Sequence, residues 1–281
     1  MIKKLKRKIC TKKTNIAVIK LKGVIGKVGY NQGLTIDSIK HVEQIQKIKK
    51  LNAIILLINS PGGSPVQSEL ISNKIKKIAK DKNVPIYSFC EDVAASGGYW
   101  LACTGEEIYA SASSIVGSIG VISQGFGFTN AIKKLGIERR VHTQGDNKSV
   151  LDPFSKEKKE DIELIKNIQK DIHEQFIAHV KKARGTKLNS TENLFSGKFW
   201  SGKQAAQLGL IDKIGVYEDV MKEKFSSKIN YKIIEAKQSF LQRKLSTCIG
   251  GIISNISGNL REILHEDGII HKVVKDPKKD E

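Results

Sequence analysis

Apolar runs of strand length alternate with amphipathic stretches along the first third of the chain. Three such runs, NIAVIKL, AIILLI and VPIYSFC, occupy residues 15–21, 53–58 and 84–90 and are rich in isoleucine and valine. The two stretches between them, residues 35–50 and about 65–80, carry apolar residues at helical spacing. The order strand, helix, strand, helix, strand predicts a layered α/β domain around a largely parallel sheet. On the first helical stripe we expect a buried set of Ile36, Ile39, Val42, Ile45 and Ile48.

Glycine- and serine-rich turns follow the second and third of these runs. Ligands of open parallel sheets bind near the carboxyl ends of the strands, so NSPGG and AASGG are the places to look for chemistry. A catalytic serine needs an exposed turn, a base and donors for the oxyanion, and Ser96 between alanines and glycines satisfies the first need. The amide of Gly97 opens a predicted helix, where it lacks an intrahelical partner, and Gly63 can supply a second donor. Each motif alone is weak, but two such turns one strand apart favour acyl transfer.

The residues alone do not identify the base. The six histidines form no local signature, although sequence distance does not exclude His142. A serine and lysine pair is the other documented arrangement, and composition cannot choose among so many lysines. A lysine base must be neutral, so its pKa has to fall by about three units, which costs roughly 4 kcal/mol.

Composition narrows the class of partner. The formal charge of +19 comes from lysines spread along the whole chain with few aromatic residues among them, so we expect a solvated surface and no specific nucleic-acid partner. From Met1 to Ile36 there are ten basic residues and no acidic one, which favours contact with an anionic partner, either a membrane surface or nucleic acid. No apolar run approaches a membrane span or the core of a secretory signal, so we expect a cytoplasmic location, with peripheral contact to the inner face of the membrane. The cysteines lack metal-ligand spacing, so we expect no metal, no cofactor and no disulfide framework: Cys10, Cys90, Cys103 and Cys248.

Four longer motifs carry a family resemblance. INSPGGSP, VAASGGYWLACTGEEIYASASSIVGSIGVI, GDNKSVLDPFS and FSGKFWSGKQAAQLGLIDKIG resemble, in order and spacing, the signal peptide peptidase A family of bacterial serine peptidases. The resemblance implies that Ser96 is the nucleophile and that Lys148, 52 residues onward, is the general base. It also implies that Ser118 orients the lysine and that the amides of Gly63 and Gly97 form the oxyanion hole, as in the related Clp protease fold.

The resemblance sets further expectations for fold, substrate and assembly. We expect a Clp/crotonase-like spiral of parallel-sheet ββα units over residues 15–235, after a basic segment at 1–14 and before a helical extension at 236–281. Extended hydrophobic peptides, above all signal-peptide remnants, are the expected substrates, and a homo-oligomer is the expected assembly. Acyl-CoA hydratases and isomerases share the architecture but use acidic catalysts. Two alternatives stay open: a cytoplasmic or membrane-peripheral peptidase that acts on other peptides, and a non-catalytic scaffold that retains the fold. An apolar stripe in the extension is predicted either to contact membrane or to pack on protein: Leu241, Leu245, Cys248, Ile252, Ile256, Leu260 and Leu264.

Overall fold

The computed structural model describes residues 13–28, 31–189, 192–225 and 228–235. The chain divides into two units, residues 1–235 and 236–281. The predicted C-terminal extension lies outside the described residues, as does the basic segment up to residue 12. What the sequence predicts for these parts therefore stays a prediction.

Strands and helices alternate through the described part of the chain. The strands are β1 (Thr14–Lys22), β2 (Lys27–Val28), β3 (Asn31–Gln32), β4 (Leu51–Ser60), β5 (Ile86–Ala95), β6 (Glu107–Ala110), β7 (Ile115–Gly117), β8 (Phe199–Ser201), β9 (Lys213–Ile214) and β10 (Ile229–Ile234). The α-helices are α1 (Pro65–Lys82), α2 (Gly97–Ala102), α3 (Thr129–Lys134), α4 (Lys159–Arg184), α5 (Gly202–Gln207) and α6 (Tyr217–Lys224). Two 3-10 helices, Lys40–Lys47 and Gly185–Lys187, complete the described elements.

A mixed, mostly parallel sheet forms the centre of the fold. Its main path runs β10-β1-β4-β5-β6-β9, and the far end of β5 pairs with β7, which pairs in turn with β8. All of these pairings are parallel except the one between β7 and β8. The strand, helix, strand, helix, strand order predicted from the apolar runs is thus confirmed for β1, β4 and β5.

Both faces of the sheet are covered, which explains why the central strand β4 is apolar at every position from Ala53 to Ile58. In β4, Ile54, Leu56 and Ile58 pack into one core cluster. The alternate residues Ala53, Ile55 and Leu57 pack into a second cluster on the other face, with Met221 of α6. The described helices include none that is long and apolar enough to cross a membrane.

The first predicted helix differs from its expectation, whereas the second is confirmed. Residues 35–50 form a turn followed by the 3-10 helix Lys40–Lys47, because the side chains of Thr35 and Ser38 bond to each other's backbone and replace helical hydrogen bonds. The predicted apolar stripe nevertheless faces the core. Helix α1 begins as capping rules require, with the Ser64 side chain accepting from the Gln67 amide and Pro65 in the first turn.

Candidate active site

The carboxyl ends of β4 and β5 bring the two glycine- and serine-rich turns into contact. The strands are parallel neighbours, and Ser60 pairs with Ala94 just before both turns begin. A Cβ atom on Gly62 would lie 2.7 Å from the Cβ of Ser96 and 2.8 Å from the amide nitrogen of Gly97. Glycine at position 62 is therefore what allows the turns to touch.

Ser96 adopts a backbone conformation that is unusual for a residue with a side chain. Its φ is 53° and its ψ is −123°, and such strain costs about 1–3 kcal/mol and clusters at functional sites. The Ser96 amide donates to the carbonyl of Gly117 over 2.8 Å, while the Ser96 carbonyl accepts from the amides of Tyr99 and Trp100. These bonds hold the serine at the junction between β5 and α2.

Two backbone amides beside Ser96 have no acceptor among the described residues. The amide of Gly97 is the first of α2, and the amide of Gly63 lies close by, 3.4 Å from where a Cβ of Gly97 would stand. The Gly63 turn is fixed from the other side by Ile25, whose amide donates to the Gly62 carbonyl and whose carbonyl accepts from the Ser64 amide, each over 2.8 Å. A hydroxyl beside two unused N–H donors is the arrangement that acyl transfer requires.

A pocket of about 730 Å³ opens over these groups. Ser96, Gly97 and Gly63 line it together with Ser118, so the structure brings four of the five sequence-predicted site residues to one place. Much of the remaining wall is apolar and includes Pro65, Trp100, Ile122, Ile172, Phe176 and Phe195. Tyr99, next to Trp100 in the sequence, does not line the pocket, because it is fully buried and its hydroxyl donates to the Leu210 carbonyl.

Ser118 sits on a second strained turn, at the end of β7. Its φ is 53°, and its amide donates to the carbonyl of Lys198 over 2.7 Å. The preceding Gly117 has a φ of 108° and packs against the indole of Trp200, where a Cβ would come within 2.7 Å of the ring. The close pairing of β7 and β8 therefore fixes the position of Ser118 in the pocket wall.

Lys148 is the one sequence-predicted site residue that lies elsewhere. It is exposed on a turn, where its amide donates to the Gly145 carbonyl over 3.3 Å, and it is not among the residues that line the Ser96 pocket. On the same segment, Asp152 accepts a hydrogen bond from Arg139 Nε over 2.9 Å, and this bond lowers the pKa of Asp152. In this structure, therefore, Ser96 and the two unused amides lie together, and Lys148 lies apart from them.

Histidine 173 is a pocket residue that the sequence reasoning did not single out. It lines the Ser96 pocket from α4, and its Nε2 lies 3.1 Å from the carbonyl oxygen of Ile119. The available signal was the run IHEQFIAHV, in which histidine and apolar residues share one helical stripe. A search for short catalytic motifs does not detect such a stripe.

Comparison with known proteins identifies the family. Residues 78–228 match Peptidase family S49. The chain belongs to this family. This match confirms the family resemblance drawn from the sequence.

Relatives of this family S49 chain include proteins from bacteria, an archaeon and a plant. The chain is 46% identical over 235 residues to a Brucella abortus protein named Na(+)/H(+) antiporter NhaA, covering 83% of this chain and 32% of that protein. It is 31% identical over 216 residues to an Enterococcus faecium protein named as a signal peptide peptidase SppA, covering 74% of this chain and 62% of that protein. The chain thus spans about a third of the length of the Brucella relative and about three fifths of the Enterococcus relative.

A solved structure shares the fold of the S49 chain. A serine-to-alanine mutant of the 1510-N membrane-bound stomatin-specific protease superposes with a TM-score of 0.50 at 15% identity, covering 81% of this chain and all of that chain. The mostly parallel α/β sheet is accordingly the Clp/crotonase-like fold expected from the sequence.

Proposed function

We propose that this S49 peptidase is an endopeptidase in which Ser96 attacks the carbonyl carbon of an extended peptide. The observation that carries the proposal is the strained Ser96 turn next to the two unused amides of Gly63 and Gly97. These amides would stabilise the negative charge that develops on the carbonyl oxygen. As Ser96 Oγ bonds to carbon, Lys148 Nζ takes its proton and passes it to the leaving amine, and water then releases the acyl group by the reverse sequence.

The pocket wall supports a preference for apolar side chains. Trp100, Ile172, Phe176 and Phe195 surround the space next to Ser96, and burial of an apolar side chain there is worth about 1.5–3 kcal/mol. We therefore propose extended hydrophobic peptides as substrates, and signal-peptide remnants in particular. The name of the Enterococcus relative supports the second choice.

Lys148 does not line the Ser96 pocket, so the mechanism needs a way to bring the two side chains together. Lys148 lies in residues 121–158, a mostly exposed segment between the Ser118 turn and α4. In the proposed mechanism it reaches Ser96 from a neighbouring copy in a homo-oligomer. The exposed apolar side chains of the same segment, among them Ile122, Phe126 and Leu135, support this arrangement because oligomer interfaces bury such groups. Ser118, already in the pocket wall, would orient the incoming lysine.

We also propose that the peptidase acts in the cytoplasm at the inner face of the membrane. The excess of basic residues between Met1 and Ile36 supports contact with anionic lipid. Flotation of the full chain with vesicles containing about 30% anionic lipid, compared with neutral vesicles, tests this placement. Flotation only with the anionic vesicles is expected, and no flotation with either would refute it.

The mechanism is tested by hydrolysis of an internally quenched peptide that contains a signal-peptide-like apolar segment. The native chain, Ser96→Ala and Lys148→Ala are compared between about pH 6 and 9. Both substitutions should abolish an activity that rises toward alkaline pH, because a lysine base must be neutral. Loss of activity in Ser96→Ala but not in Lys148→Ala, or a flat pH profile, would remove the proposed dyad.

A further inference from the structure

Helix α4 contacts the Ser118 turn and helix α2 through two histidines on one stripe. His173 and His179 flank Phe176 at helical spacing, and all three face the protein interior. Nε2 of His173 lies 3.1 Å from the Ile119 carbonyl, and Nε2 of His179 lies 3.0 Å from the Trp100 carbonyl. A carbonyl oxygen only accepts, so both Nε2 atoms carry a proton and donate.

The His173 bond acts on the turn that contains Ser118. The Ile119 carbonyl also accepts from the Gly197 amide over 3.1 Å, so this one oxygen ties the end of β7 to both α4 and the loop before β8. A residue with a φ of 53°, such as Ser118, persists only where its surroundings determine its position strongly. The hydrogen bond from the His173 side chain to Ile119 helps to hold Ser118 in this conformation.

The His179 bond acts on the helix that begins directly after Ser96. Helix α2 has six residues, too few to be stable by itself, and the carbonyl of Trp100 lies in its last turn, where main-chain donors run out. The imidazole of His179 also stacks on the Trp100 indole, with ring centroids 4.2 Å apart and planes 6° apart. Phe176 packs on the same indole at 5.3 Å. Helix α4 therefore fixes both the backbone and the ring of Trp100, which lies three residues after the oxyanion donor Gly97.

We propose that His173 and His179 are positioning residues that align the Ser118 turn and the Ser96 helix against the same face of α4. This inference rests on the proposed function, since it assumes that Ser96 is the nucleophile. The histidines need not touch the substrate's reacting atoms. Their hydrogen bonds fix how far Ser96 and the Gly97 amide lie from Ser118, the pocket residue proposed to orient Lys148.

The test measures kcat and KM for the quenched apolar peptide with the full chain. His173→Leu and His179→Leu remove the donors, while glutamine at either position places an amide donor where Nε2 stands. Asparagine carries the same amide on a side chain that is one methylene shorter, so its amide does not reach the carbonyl. Gln175, exposed on α4, provides the control Gln175→Leu. Each variant is assayed well below its own unfolding midpoint, so that loss of folded protein does not enter kcat.

Each leucine variant should lower kcat at least about tenfold with KM changed less than about twofold, and Gln175→Leu should behave as native. Glutamine at 173 should restore kcat to within about threefold, and asparagine should not. Glutamine at 179 should restore it in part, since the stack on Trp100 is lost. If a leucine variant does not fold, kcat of the glutamine and asparagine variants at that position is compared instead. A higher kcat for glutamine supports the positioning role, and equal values contradict it.

Two results would overturn the inference, and they are distinguishable. If the native chain is active, Ser96→Ala is inactive and all histidine variants match the native kcat, the positioning role fails while the proposed function stands. If Ser96→Ala keeps native activity, the proposed function fails and the positioning role falls with it.

Discussion

At the scale of single residues, the site depends on small side chains where two turns meet. Sequence reasoning could place Ser96, Gly97 and Gly63 together, because adjacent parallel strands end at the same edge of a sheet. It could not place Lys148 in space, since that residue lies on an exposed segment whose position no buried pattern specifies. The role of Lys148 therefore comes from the family resemblance alone.

The Gly63 turn gives a prediction at this scale. A Cβ at position 63 would lie 2.0 Å from the Ile25 carbonyl oxygen, so Gly63→Ala must shift the turn and carry its amide away from the substrate. We expect kcat for the apolar peptide to fall at least about a hundredfold, as when an oxyanion donor is removed.

Gly185 provides the matched control for this substitution. It has a φ of 51° with open space around it at the end of α4, so Gly185→Ala should cost about 1–3 kcal/mol of stability and leave kcat unchanged. A folded Gly63→Ala chain with native kcat would contradict the oxyanion role of Gly63.

At the scale of elements, burial patterns predicted strands and core faces better than helix type. The runs at 53–58 and 84–90 correspond to β4 and β5, whose covered faces favour apolar residues, although β5 also buries Ser88. The stripe of residues 35–50 predicted the buried face but not the 3-10 helix, because the Thr35 and Ser38 side chains compete for local backbone bonds. The histidines of α4 were not detected because their role depends on turns distant in sequence.

His179 gives a prediction on acid stability. Burial lowers its pKa from 6.5 to about 4, and the nearby Lys76 and Lys182 act in the same direction. The unfolded chain therefore binds a proton as pH falls below about 6.5 while the folded chain does not. The free energy of unfolding should be highest above that pH and decline until about pH 4.

Urea unfolding of the native chain and His179→Gln between pH 7 and 4 measures this decline. The native chain should lose about 2 kcal/mol more than the variant, a figure reduced from the full shift because the ring is partly exposed. The comparison removes the contribution of carboxylates common to both chains. Identical pH dependence in the two chains would contradict the buried, neutral state of His179.

At the scale of the whole molecule, the segment at 121–158 carries apolar surface that the described residues do not cover. Ile122, Phe126 and Leu135 are 80%, 81% and 72% exposed, far above what a monomer's surface requires. The same segment carries Lys148, so one contact between copies would bury these side chains and deliver the base. The amino- and carboxyl-terminal predictions concern residues outside the described structure, and they stay predictions.

Subunit mixing tests the shared site. Chains carrying Ser96→Ala and chains carrying Lys148→Ala, each inactive, are dissociated, mixed in equal amounts and reassociated. Random assembly should restore roughly a quarter of native activity, because that share of sites pairs an intact serine with an intact lysine of a neighbour. Mixing Ser96→Ala with the double variant should restore none. Assembled but inactive mixtures of the single variants would show that the base does not come from another copy.

The identity of the nucleophile is tested most directly by covalent labelling. A fluorophosphonate reacts with an activated serine hydroxyl, forming an oxygen–phosphorus bond with loss of fluoride, and mass spectrometry of digested full-length chain locates the adduct. The account predicts one major adduct, on Ser96, that disappears in Ser96→Ala. A major adduct on another serine, or labelling that persists in Ser96→Ala, would contradict it.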